Sequence, residues 1–499
     1  MKRKSGILLP VFALPSNYGI GDFGKECYNF IDYLKSANQS VWQVLPLVET
    51  GFGNSPYSSK CSYSFNPYFI SLEHLKEDGL LTDLELKGER VKSSVIDYGR
   101  LYNRRYKVLR KAYSRFNRND LDFKKFLRKG EYDDYAVFST LKTVYNCDFI
   151  NFPKEYKNRD KDALKKFVKD NREEFLFWQF IQFYAKEEWT AVKNYAEYNG
   201  VKIIGDLPLY VAHDSVDVWA NPNLFDLDEN YIPRKVAGVP PDYFCEDGQL
   251  WGNPVYNYNE HKKDNFAWWK DRIKKAFRIY DYVRIDHFRG LDRFYAVQNG
   301  SENARVGEWI DVPKFELFEN IKKASKKDGI IAEDLGTIDD SVRELLKATG
   351  YPGMKVLSFA FGGDKANPYL PENIEENSVC YTGTHDNDTL KGLILSFTET
   401  ELKVFRNGVK NSLKLLGVKS SVNSTNGLID GVIKLGAYSK SKIFILPFSD
   451  LIKADSKKRV NEPGKLNENN WAVTFSKKDF SPKKADELRK LTIDSGRGV

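Results

Sequence analysis

The 499-residue sequence predicts an α/β fold, a (β/α)8 TIM barrel with inserted, mostly helical subdomains and long βα loops. One observation is that strand-like apolar runs alternate with helix-period stretches, and eight such strands can be counted. The other is that four apolar runs end in acidic and other polar side chains. A parallel barrel builds one catalytic mouth from several strand ends in this way. The four segments are 203–210, 282–290, 330–336 and 380–389.

The predicted strands are short apolar runs spread along the whole chain. They are Ile7–Ala13, Val41–Leu47, Val201–Leu207, Tyr282–Ile285, Ile330–Ala332, Val356–Phe361, Ser378–Thr382 and Lys442–Phe448. Helix-period spacing of apolar residues predicts helices after Gly24, over Phe175–Tyr198 and along a stripe from Phe266 to Tyr280. The charged segment Lys483–Val499 is expected to form a last helix and a frayed tail.

The domain organisation follows from where this alternation breaks. Residues from about 70 to 170 are charged, helix-periodic and poor in strands, which indicates an inserted helical subdomain. Residues from about 237 to 256 are rich in Pro, Gly and aromatics, which is typical of a functional lid or binding loop. We therefore expect residues 1–499 to form a single catalytic barrel domain that carries this insert and this long active-site loop.

Composition disfavours several classes of protein. Hydrophobic residues make up 41% of the chain, so a large core is feasible. The formal net charge of +8 is small beside 77 basic and 69 acidic residues, and the two signs are interspersed, so we expect no nucleic-acid partner. The five cysteines are odd in number and lack a C-x-x-C spacing, which disfavours a disulfide framework or a zinc ribbon.

Compartment is also constrained by the sequence. No apolar run reaches the length of about 18 residues that a membrane span requires. The apolar start of the chain is interrupted by Pro10 and Pro15, so it is interpreted as a first strand and not as a signal peptide. We expect a cytoplasmic protein with no membrane association and no evident obligate protein partner.

The candidate acids are Asp206, Asp286, Glu333 and Asp386. Such a set suits glycosidic-bond chemistry, which needs paired carboxylates and no cofactor. Arg284 lies two residues before Asp286 on a strand, so both side chains face one way. They could form a structural ion pair, or Arg284 could keep a nucleophilic carboxylate ionised. Glu333 could be a helix-start acid favoured by the macrodipole, or a general acid kept protonated by apolar surroundings.

Metal and cofactor motifs are not supported. Asp386 and Asp388 alternate as in an EF-hand, but Leu390 replaces the next ligand and the turn glycine is missing. The GIGDFG segment at 19–24 matches G-x-G-x-x-G formally, yet it is separated from the preceding strand and has no convincing partner acid. The five histidines show no zinc spacing. We expect no metal and no cofactor.

Taken together, the motifs resemble the amylomaltase (disproportionating enzyme) family of 4-α-glucanotransferases, glycoside hydrolase family 77 of the α-amylase clan. The resemblance covers most of the chain in short ordered motifs. They are LPSNYGIGDFG (14–24), VWQVLPL (41–47), NSPYSS (54–59), IIGDLPLYVAHDSVDVWA (203–220), GVPPDYFCEDGQLWGNPVY (238–256), VRIDHFRG (283–290), AEDLG (332–336), GTHDND (383–388), RVNEPG (459–464) and NW (470–471).

The resemblance implies a role for each matching residue. Asp286 would be the nucleophile, Glu333 the general acid/base and Asp386 the transition-state stabiliser. Arg284 would orient Asp286, and the segment Asp247–Gly252 would partly cover the glucan. Other substrate contacts implied by the resemblance are Asp206, His287, His385, Tyr57, Trp251 and Phe359.

The implied reaction is transfer of a 1,4-α-glucan segment to the 4-hydroxyl of an acceptor glucan or glucose, with retention through a covalent glycosyl-enzyme. Maltooligosaccharides and glucans derived from starch or glycogen would be the substrates. Retention requires the two reacting carboxyls to lie about 5–5.5 Å apart. Two alternatives stay open at this point: an α-glucan hydrolase on the same barrel, and a catalytically silent glucan-binding protein.

Overall fold

The computed structural model describes residues 3–91, 93–241 and 246–498, with the backbone alone at residue 52. Twelve strands occur within these ranges. They are β1 (Lys4–Leu8), β2 (Val41–Gln43), β3 (Lys202–Leu207), β4 (Lys235–Val239), β5 (Gln249–Pro254), β6 (Tyr282–Ile285), β7 (Arg293–Gln298), β8 (Glu308–Asp311), β9 (Ile330–Ala332), β10 (Gly353–Val356), β11 (Ser378–Tyr381) and β12 (Ile443–Pro447).

Eight of these described strands form a closed barrel in the order β1-β12-β11-β10-β9-β6-β3-β2, and every pairing in it is parallel. The predicted (β/α)8 fold is confirmed. Three strand predictions were wrong in position or length. The second strand ends at Gln43, four residues before the predicted end at Leu47. The first strand ends at Leu8, and the apolar residues Val11–Ala13 form a buried 3-10 turn. The sixth barrel strand is Gly353–Val356, and Leu357–Phe359 form another 3-10 turn. The first turn is apolar and fully buried, so it resembles a strand in sequence.

Alternation along each strand sorts side chains between the barrel interior and the outer helical layer. In β3, Ile204 packs in the interior cluster, while Ile203 and Leu207 belong to the outer core. Asp206 lies two residues after Ile204 and shares its inward face. The polar groups that close the interior therefore stand at the carboxyl ends of the strands.

The helices surround this barrel. Those between β2 and β3 span 72–198 and include the predicted helix Phe175–Tyr198, which begins slightly earlier, at Arg172. None of the described helices combines the length and apolarity needed to cross a bilayer. The α-helices are α1 (Lys25–Ser36), α2 (Leu72–Glu77), α3 (Asp83–Lys87), α4 (Tyr98–Arg115), α5 (Leu121–Lys129), α6 (Asp133–Tyr145), α7 (Lys154–Lys157), α8 (Lys161–Asp170), α9 (Arg172–Tyr198), α10 (Val216–Ala220), α11 (Tyr258–Lys263), α12 (Ala267–Ile279), α13 (Lys314–Ala324), α14 (Asp340–Thr349), α15 (Leu390–Ser396), α16 (Glu399–Leu415), α17 (Thr425–Tyr438), α18 (Phe448–Leu451) and α19 (Pro482–Asp494).

A second, antiparallel sheet was not predicted. Its order is β5-β4-β7-β8, so it joins the chain that follows β3 to the chain that follows β6. The predicted long loop at 237–256 contains most of β4 and all of β5, and its residues 242–245 lie outside the described part. Glycine and proline within this segment suggest a loop, but β4 pairs with β7 on one side and with β5 on the other.

The chain end also differs from the prediction of a frayed tail. The last helix stops at Asp494, yet Arg497 is only 1% exposed. Its guanidinium donates to the carbonyl oxygens of Lys4 (2.9 Å) and Ser441 (3.0 Å) beside β1 and β12. The hydrogen bonds of Arg497 therefore connect the tail to β1 and β12, the first and last strands of the barrel, which are neighbours.

Gly205 on β3 tests the packing between the barrel and its helical layer. A Cβ at this position would lie 2.1 Å from the Tyr280 ring, whereas one at Gly362 would meet nothing within 4 Å. We expect Gly205→Ala to lower the free energy of unfolding by about 1–3 kcal/mol because the ring must shift. Gly362→Ala should change it by less than about 0.5 kcal/mol in the same urea titration. Equal stability of the two variants would contradict the described packing.

Candidate active site

Arg284 lies at the centre of the candidate active site. It stands opposite Asp206 where β6 pairs with β3, and both side chains are buried in the barrel mouth. Its Nη1 donates to both carboxylate oxygens of Asp206 at 2.8 Å and to Oδ1 of Asp286 at 2.9 Å. Its Nη2 lies 4.0 Å from Oε2 of Glu333. One guanidinium thus gathers three of the four predicted acids.

Glu333 occupies the position after β9, the neighbour of β6. Its Oε2 accepts the backbone N–H of His287 at 2.6 Å, and its Oε1 accepts that of Leu335 at 3.0 Å. His287 has a φ of 49°, a left-handed conformation that directs its N–H towards this carboxyl. The helix-start interpretation of Glu333 is wrong, because the next helix, α14, begins only at Asp340.

Burial controls the protonation of the two carboxyls on either side of Arg284. It raises the pKa of Asp286 to about 7, against the opposing effect of Arg284. It raises the pKa of Glu333 to about 8, and Arg284 opposes this too while the charge on Asp286 adds to it. Asp286 therefore loses its proton first, since it accepts a hydrogen bond from Arg284 that Glu333 lacks. Between these two pKa values, one ionised aspartate beside one protonated glutamic acid is the favoured state of the pair.

Asp386 lies in the turn after β11, and it is the most exposed of the four acids, with 40% of its side chain open. Its Oδ1 accepts a hydrogen bond from Nδ2 of Asn461 at 2.7 Å, and its Oδ2 lies 3.3 Å from Nε2 of His385. The guanidinium of Arg459 donates to the backbone carbonyl of Asp386 at 2.9 Å. Asp386 is thus positioned from a segment some seventy residues further along the chain, with its carboxylate facing the open mouth.

Two of the three aromatic candidates join this cluster directly. The Tyr57 hydroxyl donates to Oδ2 of Asp206 at 2.7 Å, and the Tyr57 ring stacks on His385 with centroids 5.2 Å apart. Trp251, on β5, packs edge-on against the His287 ring at 4.8 Å and is 36% exposed. The antiparallel sheet therefore brings an exposed indole to the residue beside Asp286.

Phe359 lies in the 3-10 turn after β10 and is 42% exposed, with its ring 5.9 Å from that of Tyr369. Burial raises the pKa of Tyr369 to about 12, and Asp334 and Glu333 add to this effect. Its neighbour Tyr369 is thus within the electrostatic reach of Glu333. Among the described residues, no hydrogen bond or ring contact joins Phe359 itself to the carboxylates.

The histidines of the site are neutral. Burial lowers the pKa of His287 to about 4 and also lowers that of His385. A neutral imidazole can donate a hydrogen bond to a sugar hydroxyl or accept one from it, and it adds no charge to the site. Sequence analysis assigned no role to Asn461, Arg459 or Trp471. The motifs RVNEPG and NW contain them, but no spacing rule indicates that they reach Asp386 and His385.

Comparison with known proteins gives a consistent result. The family profile described as 4-alpha-glucanotransferase matches residues 9–478. A 4-alpha-glucanotransferase from Clostridium butyricum is 41% identical over 98% of this chain and 99% of its own length. One from Aquifex aeolicus is 39% identical over 100% of both chains.

Solved structures agree with the sequence comparisons. An amylomaltase from Streptococcus agalactiae, solved in complex with acarbose, superposes with a TM-score of 0.93 at 34% identity over 100% of both chains. An amylomaltase from Corynebacterium glutamicum gives a TM-score of 0.78 at 18% identity over 99% of this chain and 75% of its own, which supports the fold alone. The resemblance indicated by the sequence motifs is confirmed.

Removing the Arg284 charge tests the electrostatics of the site. In Arg284→Met, Asp206 and Asp286 become buried carboxylates without their cation, and we expect a loss of about 3–5 kcal/mol of unfolding free energy at neutral pH. Arg284→Lys, which retains the charge, should lose clearly less. Without the cation nothing opposes the effect of burial on Asp286, so the pKa of this group rises further and the loss should shrink as the pH falls towards about 4. Urea titrations at several pH values measure this, and a loss independent of pH would contradict the assignment.

Proposed function

The chain belongs to the 4-alpha-glucanotransferase family and is a glucan-transferring enzyme, and we propose that it moves a 1,4-α-glucan segment by a retaining double displacement at Asp286 and Glu333. The observation that carries this proposal is the guanidinium of Arg284 between the two carboxyls. It donates to Asp286 at 2.9 Å and lies 4.0 Å from Glu333. This asymmetry favours an ionised nucleophile beside a protonated acid.

In the first step, Asp286 attacks the anomeric carbon while Glu333 gives its proton to the glycosidic oxygen. The bond between the anomeric carbon and that oxygen breaks, and the shortened glucan leaves with a free 4-hydroxyl. The product is a glycosyl ester on Asp286 with inverted configuration. Glu333 is then an ionised carboxylate, held by the N–H groups of His287 and Leu335.

In the second step, the 4-hydroxyl of an acceptor sugar attacks the same anomeric carbon. Glu333 accepts the hydroxyl proton, and the ester bond to Asp286 breaks. The second inversion restores the α configuration, and the two carboxyls return to their starting states. The balance needs no metal and no coenzyme.

The remaining polar groups would bind the sugar that is transferred. Asp386 would hold ring hydroxyls and stabilise the transition state, because its carboxylate is fixed by Asn461 and yet open to the mouth. Asp206, His287 and His385 would contact the same sugar. The aromatic side chains of Tyr57, Trp251 and Phe359 would provide flat faces for neighbouring glucose units.

Maltooligosaccharides and glucans derived from starch or glycogen are the proposed substrates. The acarbose complex of the similar Streptococcus agalactiae amylomaltase supports a ligand of this type. Trp251 lies within the segment Asp247–Gly252, which would partly cover the bound glucan and exclude water during the lifetime of the ester. Exclusion of water would favour transfer over hydrolysis.

Incubation of the pure protein with maltotriose and EDTA, with all products separated by chain length, tests the proposal. We expect longer maltooligosaccharides and free glucose with little gain in reducing ends. Shorter products alone, with a steady rise in reducing ends, would instead indicate an α-glucan hydrolase. An unchanged substrate would contradict the proposed function altogether.

Substitution of the reacting carboxyls should separate their two roles. Asp286→Asn removes the nucleophile and should abolish transfer. Glu333→Gln should slow transfer from maltotriose by about 10²–10⁴-fold, because the leaving oxygen lacks a proton donor. With α-maltosyl fluoride, whose fluoride leaves without protonation, Glu333→Gln should still react with the donor while Asp286→Asn does not.

An exposed carboxylate provides the control for these variants. Asp122 on α5 is 74% exposed and pairs with Lys125 alone in the described structure. Asp122→Asn should therefore transfer at the wild-type rate. Wild-type turnover in Asp286→Asn, or equal rescue of both site variants by the fluoride, would overturn the assigned roles.

The pH dependence of kcat/KM should be bell-shaped. Activity needs ionised Asp286, whose pKa is raised to about 7, and protonated Glu333, whose pKa is raised to about 8. The rate should fall below the first value as Asp286 takes up a proton and above the second as Glu333 loses one. Glu333→Gln, measured with the fluoride donor, should lack the alkaline limb. An alkaline limb that persists in this variant would show that another group controls it.

A further inference from the structure

Trp471 has an unusual backbone for a bulky aromatic residue. Its φ is 63°, in the left-handed region, and its side chain is only 5% exposed. Left-handed φ brings Cβ close to backbone oxygen in residues other than glycine, so this conformation persists only where the surroundings fix it. Such strained residues concentrate at functional sites, and the contacts of Trp471 indicate what its conformation serves.

The backbone of Trp471 is held on both sides. Its N–H donates to the carbonyl of Val460 at 2.8 Å, which closes the loop 460–471. Its carbonyl accepts the hydroxyl of Tyr98 at 2.9 Å, the first residue of α4. The next carbonyl, that of Ala472, accepts the N–H of Ile96 at 2.8 Å. This segment thus connects the helices between β2 and β3 to the barrel mouth.

The indole ring contacts two rings of the candidate site. Its centroid lies 5.6 Å from that of Tyr57 and 5.9 Å from that of His385. Those two rings stack on one another at 5.2 Å with an interplanar angle of 11°. Tyr57 reaches Asp206 through its hydroxyl, and His385 reaches Asp386 through Nε2. Trp471 therefore packs against both rings, and each of these rings contacts one carboxylate of the site.

The beginning of the same loop holds Asp386 independently of the rings. Asn461 donates to the Asp386 carboxylate at 2.7 Å, and its own N–H donates to the carbonyl of His385 at 3.1 Å. The backbone bond between Trp471 and Val460 stands next to Asn461 in sequence. A change in the backbone at Trp471 would consequently shift both the ring stack and the amide that fixes Asp386.

We propose that Trp471 is a positioning residue for glucan transfer, and that its left-handed backbone places the indole against the Tyr57–His385 stack while closing the loop that holds Asp386. Tyr98 couples this arrangement to α4. The inference rests on the proposed contacts of Asp206, His385 and Asp386 with the transferred sugar. Trp471 itself does not touch the reacting atoms, so its removal should affect turnover more than substrate affinity.

Three variants of the full chain test this, with kcat and KM for maltotriose disproportionation as the readout. Trp471→Leu should lower kcat by at least about tenfold with KM changed by less than about threefold, because the site groups are misplaced and not removed. Trp471→Phe keeps an aromatic ring and should retain at least about a third of kcat. Tyr98→Phe removes the hydrogen bond to the Trp471 carbonyl and should lower kcat by about threefold or more.

Tyr113→Phe is the matched control. Tyr113 lies on the same helix, α4, and its hydroxyl donates to Glu173 at 3.3 Å. It should leave kcat and KM unchanged.

Wild-type kcat in folded Trp471→Leu would overturn the inference. If Trp471→Leu fails to fold, as judged by circular dichroism, Tyr98→Phe decides: a loss of kcat supports the inference, and wild-type kcat overturns it. Asp386→Asn distinguishes a failure of the proposed function. An inactive Asp386→Asn beside fully active Trp471 and Tyr98 variants rejects the positioning role alone, whereas a fully active Asp386→Asn rejects the site assignment on which it rests.

Discussion

The buried charge of Arg284 is the constraint on which the rest of the site depends. A guanidinium inside the barrel mouth requires carboxylates, and Asp206 and Asp286 supply them at 2.8 and 2.9 Å. Burial raises the pKa of Glu333, and the negative charge on Asp286 adds to this effect although Arg284 opposes it, so the protonated form of Glu333 is favoured. The interaction that makes the buried cation tolerable thus also sets apart the two carboxyls that we propose as nucleophile and acid.

The barrel provides the distances on which this balance relies. Strands β3, β6 and β9 are parallel neighbours in the barrel. Residues at their carboxyl ends therefore lie close together whatever the conformation of the connecting loops. Asp386 is different, because it lies in a turn and 40% of its side chain is exposed. The loop 460–471 restrains it from one side and His385 from the other. The strands thus hold the proposed reacting groups, and the loop 460–471 holds Asp386, the proposed contact to the sugar.

The sequence was informative where burial and chemistry coincide. Apolar runs that end in Asp286 and Glu333 predicted both the strands and the acids, because a barrel strand is apolar until it reaches the mouth. The sequence was uninformative about segments whose conformation depends on residues far away along the chain. The sheet strand β5 contains glycine and proline and is ordered by β4, and Arg497 is buried by strands at the other end of the chain. Trp471 is a further example, since nothing in the sequence around it indicates that its backbone is in the left-handed region.

The most direct test of this account is to trap the glycosyl ester. Glu333→Gln treated with α-maltosyl fluoride should accumulate it, because attack by Asp286 needs no acid while transfer to an acceptor lacks its base. Proteolysis and mass spectrometry should then find one maltosyl group on the peptide that contains Asp286. A label on another carboxylate, such as Asp386, or complete turnover of the fluoride with inverted products and no label, would contradict the double displacement described above.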